Sequence, residues 1–321
     1  MNQYNDAQRI LFHKGGLRSL HKKRLRSDTI MKILIPVDDS AVSAHALAYI
    51  AERHNLENAS ELILLHVQEP LSKIAAHLMP EDVLKEYYTL ESEKVFAPIR
   101  SLVQSQQLKA KEMTVVGTPA EEIARVAQQM HADLIVMGSR GLSAISGLLF
   151  GSVTNKLLTM TQTPILSLRN TPSIKDEPMQ IALAVDTSEY GRAMAQFVTE
   201  HADLLTPGTT IHVINVASDI AAIMRPGSAV TVSSMNETQA KEAEIAFAPV
   251  LPILKQANLK IVQARLVGDP PVEICDYCRD KKLDMLVLGS HGFGGLKSAA
   301  LGSTAMRIAS MAEIPLLIIR R

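Results

Sequence analysis

Val37-Asp38-Asp39-Ser40 recurs in this 321-residue chain as Val185-Asp186-Thr187-Ser188, at an offset of 148 residues. Val116-Gly117-Thr118-Pro119 recurs as Val267-Gly268-Asp269-Pro270, and Phe96-Ala97-Pro98 as Phe247-Ala248-Pro249, both at an offset of 151. The second copy has therefore gained three residues ahead of the Phe-Ala-Pro segment. From there the register runs without gaps: Gly138, Gly141, Gly151 and Pro164 map onto Gly289, Gly292, Gly302 and Pro315. A period this long marks a duplicated domain of about 140 residues, an ordinary domain size.

Within each copy, short apolar runs alternate with helical periodicity. Ile33 to Val37, Leu62 to Val67, Met113 to Val116, Leu134 to Met137 and Ile165 to Leu168 read as five buried strands. Near-continuous apolar strands imply a parallel sheet covered on both faces. Between them, Ile123, Val126, Ala127 and Met130 follow helical spacing, as do Tyr190, Met194, Phe197 and Val198. Right-handed crossovers turn this βαβαβαβαβ pattern into an α/β fold: two tandem doubly wound, Rossmann-like domains, each a five-stranded parallel sheet with helices on both faces. The expected division is a basic extension at 1–30, a first domain at 31–169, a linker at 170–178 and a second domain at 179–321. The linker reading rests on Pro172, Ser173 and Pro178. Pro98 and Pro249 are expected to kink a long second helix in each copy. The fifth strands, Ile165 to Leu168 and Leu316 to Ile319, are apolar edges that invite pairing, so the halves are expected to form an intramolecular pseudo-dimer; a homodimer is the alternative.

Composition sets limits on partners. Lys plus Arg equals Asp plus Glu at 33 each, so the overall charge attracts the chain neither to nucleic acid nor to an anionic membrane. Residues 1–30 are the exception, with seven basic residues against Asp6 and Asp28 for a local net of +5. Compositionally this is a disordered extension; a basic arm for RNA or an acidic partner is the other reading. Met31 opens the first strand, and the true start is a third option. No secretory signal pattern is present. Two cysteines fit a reducing cytoplasm rather than a disulfide framework, and no apolar run reaches the roughly 18 residues of a membrane helix.

Glycine and polar residues gather at the carboxyl ends of strands one and four. Gly138-Ser139-Arg140-Gly141, nine residues, then Gly151-Ser152 is matched by Gly289-Ser290-His291-Gly292, nine residues, then Gly302-Ser303. Glycines let amide N–H groups approach an anion, and a Gly-Ser pair opening a helix adds a hydroxyl and the positive end of the helix dipole: a phosphate cradle. Thr154 and Lys156 extend the first cradle; Thr304 and Arg307 extend the second, where Ala305 replaces Thr154. Asp38 and Asp186 end strand one in each copy, where a carboxylate can bind a ribose hydroxyl or adenine amine, or simply cap the next helix. Neither GxxxxGK[ST] nor GxGxxG occurs in these loops.

The duplicated GxxGx9G[ST] spacing and the strand-one aspartates resemble the universal stress protein family in its tandem form, over Met31 to Arg321. The resemblance implies adenine-nucleotide binding, ATP or ADP/AMP, with Mg accompanying the nucleotide, in a cytoplasmic stress-response protein that works through conformation or protein partners. By position it implies contacts from Pro36, Asp38, Val67, Met137, Gly138, Arg140, Gly141, Gly151, Ser152 and Val153. In the second copy it implies Ala184, Asp186, Val216, Leu288, Gly289, His291, Gly292, Gly302, Ser303 and Thr304. Ala184 for Pro36 and His291 for Arg140 favour the first site. The alternative is an interaction module with a vestigial nucleotide site.

Other reactive residues read as core. Cys275 and Cys278 form CxxC, but they occupy a helical stripe with Ile274 and Tyr277, and their counterparts are Ala124 and Ala127. His66 lies in a buried strand as a satisfied polar residue. Met194, Met285 and Met306 occupy apolar positions. No Ser-His-Asp set or metal spacing emerges, and an ATPase would need a base or water-positioning group that is not evident. The expectation is a non-enzyme.

Overall fold

The structure, a computed structural model, describes residues 30–51, 60–138, 151–168, 177–217, 232–291 and 301–320. The expectations for the basic extension and most of the linker lie outside these residues. In the first half the order is β1 (Met31–Val37), α1 (Ala41–Ala51), β2 (Ser60–Gln68), α2 (Lys73–Leu78), α3 (Glu81–Ser105), β3 (Ala110–Val116), α4 (Pro119–Gln129), β4 (Leu134–Gly138), α5 (Ser152–Met160) and β5 (Ile165–Leu168). The second half continues with β6 (Gln180–Ala184), α6 (Tyr190–Glu200), a 3-10 turn (Ala202–Leu204), β7 (Thr210–Ala217), α7 (Val232–Phe247), α8 (Leu251–Gln256), β8 (Lys260–Val267), α9 (Pro270–Asp280), β9 (Met285–Gly289), α10 (Ser303–Met311) and β10 (Leu316–Ile319).

All ten strands form one sheet, ordered β3-β2-β1-β4-β5-β10-β9-β6-β7-β8. Pairing is parallel within each half and antiparallel only where β5 meets β10. The apolar fifth strands are therefore interior. At this seam Leu316 faces Ser167, Leu317 faces Leu166 and Ile318 faces Ile165. The 151-residue offset carries Leu166 onto Leu317, so the pseudo-twofold axis passes between these two facing leucines. The free edges are β3 and β8, where Lys111, Glu112, Lys260 and Arg265 place charges along the open ladder; such residues discourage further strand pairing.

The apolar layer on each sheet face runs through the seam. On one face Leu166 and Leu168 join Leu317 and Ile319 in a layer that also holds Ile33, Phe96, Ile181 and Phe247. On the other, Ile165, Leu316 and Ile318 join Ile123, Leu157, Ile274 and Ile308. The duplication extends to the backbone. Helix ends at Gln107, His131, Asn258 and Lys282 all adopt left-handed φ between 52° and 55°. After each, an N–H reaches back five residues, from Leu108 to Val103, Ala132 to Ala127, Leu259 to Leu254 and Leu283 to Cys278, which is the Schellman closure of a helix.

Two expectations need correction. Pro98 lies inside the continuous α3, but its counterpart Pro249 sits in a break between α7 and α8. The second copy carries another proline, Pro252, three residues on, and two missing N–H donors within one turn end the helix rather than bend it. Met194 and Met285 are core, but Met306 is 43% exposed, on the outer face of α10.

Candidate functional site

In a doubly wound sheet the ligand crevice opens where strand order reverses, outside the carboxyl ends of the strands. Here these points are β1/β4 and β6/β9. At the first, the end of β1 is fixed from β2: the Nδ1–H of buried His66 donates to the Val37 carbonyl at 3.1 Å. The chain then turns out at exposed Asp38. Its Oδ1 accepts from the Ser40 N–H at 3.1 Å and from the hydroxyls of Ser40 at 2.5 Å and Ser43 at 2.6 Å, while Ser43 Oγ accepts from the Asp38 N–H at 2.9 Å. The carboxylate thus organises the loop into α1 and still faces solvent.

Opposite it, β4 ends at half-buried Gly138. Arg140 and Gly141 lie outside the described residues. Gly151 and Ser152, both exposed, open α5. Gly151 takes φ −58° and ψ 157°, and a Cβ there would meet nothing within 4 Å. Glycine is thus not required here by a left-handed backbone; what it provides is open space before the helix N-terminus. Among the described residues no side chain caps α5. The Asn155 N–H reaches Gly151 O at 3.0 Å, so helix geometry gives the N–H groups of the preceding turn no intrahelical acceptor.

Pro36, Val67 and Val153 are half-buried around this corner, and Met137 is buried beneath it. Thr154 and Lys156 do not extend the cradle. Thr154 is 2% exposed, with its hydroxyl 3.7 Å from the Met137 sulfur. The Lys156 ammonium meets Glu121 of α4 at 2.8 Å and holds that carboxyl below its usual range.

The second crevice repeats the scaffold with other contents. Asn215 occupies the His66 position and donates from Nδ2 to the Val185 carbonyl at 3.0 Å. Asp186 Oδ1 accepts from the N–H of Ser188 at 2.9 Å and from its hydroxyl. Ala184 and Val216 are half-buried and Leu288 is buried. Gly302 opens α10 with φ −65°, and its N–H donates to the Ser290 carbonyl at 2.7 Å; Ser303 and Thr304 are exposed. Arg307, like Lys156, points to the neighbouring helix and binds Asp269 through two N–H···O contacts of 2.9 and 2.6 Å. Gly292 lies outside the described residues. Above Gly289 stands Tyr190, with Ser290 and His291 beside it. Tyr190 was legible only as the first member of a helical stripe.

The remaining candidates are structural. Cys275 and Cys278 are free and buried, and burial pushes the Cys278 thiol up to about 12. Buried His212 bridges Tyr277 Oη at 2.9 Å and Gln180 Oε1 at 3.0 Å, and burial, with Lys281 nearby, lowers its pKa. Among the described residues no group of three or more His, Cys, Asp and Glu side chains is placed to hold a metal ion. No helix among them is long and apolar enough to cross a membrane.

The universal stress protein family model matches residues 29–169 and again 179–320. The chain belongs to the universal stress protein family. It is a tandem member. Universal stress protein MJ0577 of Methanocaldococcus jannaschii is 30% identical over 155 residues, covering 43% of this chain and 94% of that protein. A universal stress protein of Mycolicibacterium smegmatis aligns over 310 residues at 23% identity, covering 92% of this chain and 99% of its own length. The fold of the whole chain matches a universal stress protein from Archaeoglobus fulgidus with a TM-score of 0.63, at 18% identity over 91% of this chain and 97% of that one.

Proposed function

We propose that the first half of this universal stress protein binds an adenine nucleotide, ATP or the related ADP and AMP. On this reading the chain acts in the cytoplasm through ligand-dependent conformation or partner binding rather than turnover. The supporting observation is the exposure of Asp38 after β1 and of Gly151-Ser152 at the start of α5, the helix that follows β4, at the β1/β4 switch point. Asp38 would take a ribose hydroxyl or adenine amine as acceptor. The uncapped first turn of α5 would take phosphate oxygens through its N–H groups, the Ser152 hydroxyl and the positive end of the helix dipole. Mg would enter with the phosphates. Asp38 and the α5 N-terminus bind and orient; neither supplies the base and electrophile set that phosphoryl transfer needs.

Isothermal titration with ATP, ADP and AMP tests this. Binding is expected for the wild type, and absence of heat at millimolar nucleotide refutes the reading. Asp38→Asn keeps an acceptor for Ser40 and Ser43 but loses the charge, so the fold should persist while affinity falls roughly 10-fold, about 1.4 kcal/mol.

A further inference from the structure

In the second half Tyr190, on the first turn of α6, packs onto the end of β9 where the strand order reverses. Gly289 is the last residue of β9, and a Cβ built on it would stand 2.6 Å from Tyr190 Cβ and 2.7 Å from Tyr190 Cγ. These separations are far below van der Waals contact, so the root of the tyrosine ring lies directly on the glycine backbone. A nucleotide approaching Gly289 as the cradle requires would need the same volume. The far end of the ring is also held. Tyr190 Oη accepts from the Ser290 hydroxyl at 3.2 Å, and Ser290 Oγ itself lies 3.2 Å from His291 Nδ1. Ser290 is 1% exposed and His291 8%, and the Tyr190 and His291 ring centroids lie 6.4 Å apart.

The backbone around this set is committed as well: the Ser290 N–H donates to the Ile319 carbonyl at 2.9 Å, and the Ser290 carbonyl accepts from Gly302. Arg320, at the end of β10, is close enough to Tyr190 to interact with it electrostatically. In the first half the residue four positions after the strand-one aspartate is Val42, which has neither the ring nor the hydroxyl that Tyr190 uses.

We propose that Tyr190 is a built-in plug that closes the second crevice, so that each chain takes one nucleotide, in the first half, and keeps the second half as a closed structural partner. The inference rests on the nucleotide reading of the first half. Its test is binding stoichiometry on the full chain. Wild type should bind one ATP, and Tyr190→Val should bind two, the new site surviving in a Gly151→Val background that abolishes the first. Tyr190→Phe, which keeps the ring, should stay at one. A wild-type stoichiometry of two, or a folded Tyr190→Val that still binds one, overturns the plug while leaving the nucleotide reading intact. If no variant binds ATP, the nucleotide reading fails and amide hydrogen exchange at Ser290 decides the plug: faster exchange in Tyr190→Val supports it, unchanged exchange overturns it. Should Tyr190→Val not fold, Tyr190→Ala, which removes the ring over Gly289 and the contact to Ser290, is read in the same two assays against the same outcomes.

Discussion

Ser167 sits at the seam of the two halves, opposite Leu316, with its side chain 0% exposed and its hydroxyl without a hydrogen-bond partner among the described residues. The pseudo-twofold axis relates it to Ile318, so the second half places an aliphatic side chain where the first places a polar one. A buried hydroxyl that makes no hydrogen bond costs about 1–3 kcal/mol. Ser167→Ala removes that oxygen and little else; the lost dispersion contacts of one atom amount to a few tenths of a kcal/mol. The net expectation is a gain of about 1 kcal/mol. With an unfolding entropy near 2.1 cal/mol/K per residue, a chain of this length should melt about 1.5 °C higher. Urea denaturation followed by circular dichroism should show a higher midpoint at unchanged slope. Because both apolar layers cross the seam, the gain should appear in a single transition covering both halves. A loss of 1 kcal/mol or more in Ser167→Ala would show that the hydroxyl is satisfied and would refute the reasoning.

The seam register itself is open to crosslinking. Directly facing Cα atoms in an antiparallel pair lie about 4.5–5.5 Å apart, within disulfide range, so Leu166→Cys with Leu317→Cys should close an intramolecular disulfide detectable by mass spectrometry; its absence would contradict the pairing. Burial lowers the His212 pKa, with Lys281 adding to it, so the folded state favours the neutral ring held by Tyr277 and Gln180. Its contribution is present above the ordinary histidine value of about 6.5 and is lost as pH falls through the lowered folded value, because the unfolded chain then binds the proton more readily. Stability measured from pH 7.5 downward should therefore fall more steeply in the wild type than in His212→Gln, and parallel profiles would refute the assignment. With its thiol pushed up to about 12, Cys278 should not react with an aromatic disulfide reagent at pH 8 until urea unfolds the chain; stoichiometric reaction of the native protein would overturn the core assignment.

The strands were legible because their apolar runs repeat in register, and the repeat also places the reversals of strand order. Several devices that fix the fold within each half carry a sequence trace that reads only in hindsight. Asp133 and Asp284, 151 residues apart, each accept the N–H of a strand-one residue, Lys32 at 2.9 Å and Gln180 at 2.7 Å, which ties the start of strand one to the turn before strand four. The four left-handed helix ends have Gln, His, Asn and Lys instead of glycine, so the usual stop signal is absent. Gly268 does show its reason, with φ of +148° and the Glu273 side chain against it. The break at Pro249 needed both prolines to be weighed together. The exposed face of Met306 is invisible to a count of apolar positions, since a helix flanking a sheet leaves one stripe in solvent.

The sequence places the candidate residues on the scaffold but does not say what stands between them, and the reason is physical. Motif spacing reports the backbone: Gly138 and Gly289 end strand four, the Gly-Ser pairs open α5 and α10, and the aspartates follow β1 and β6, whether or not a ligand enters. The scaffold that positions them, His66 or Asn215 on the strand-one carbonyl and the Asp133 and Asp284 clamps at the other end of the sheet, is built from residues outside the crevice. A substitution inside the crevice therefore leaves the sheet, the seam and the glycine spacing unchanged. On the plug proposal, one aromatic side chain, rooted on the first turn of α6 and laid across Gly289, is sufficient to make a cradle into a closed surface. The glycine is then necessary for a reason of its own, since any Cβ there would collide with the Tyr190 side chain.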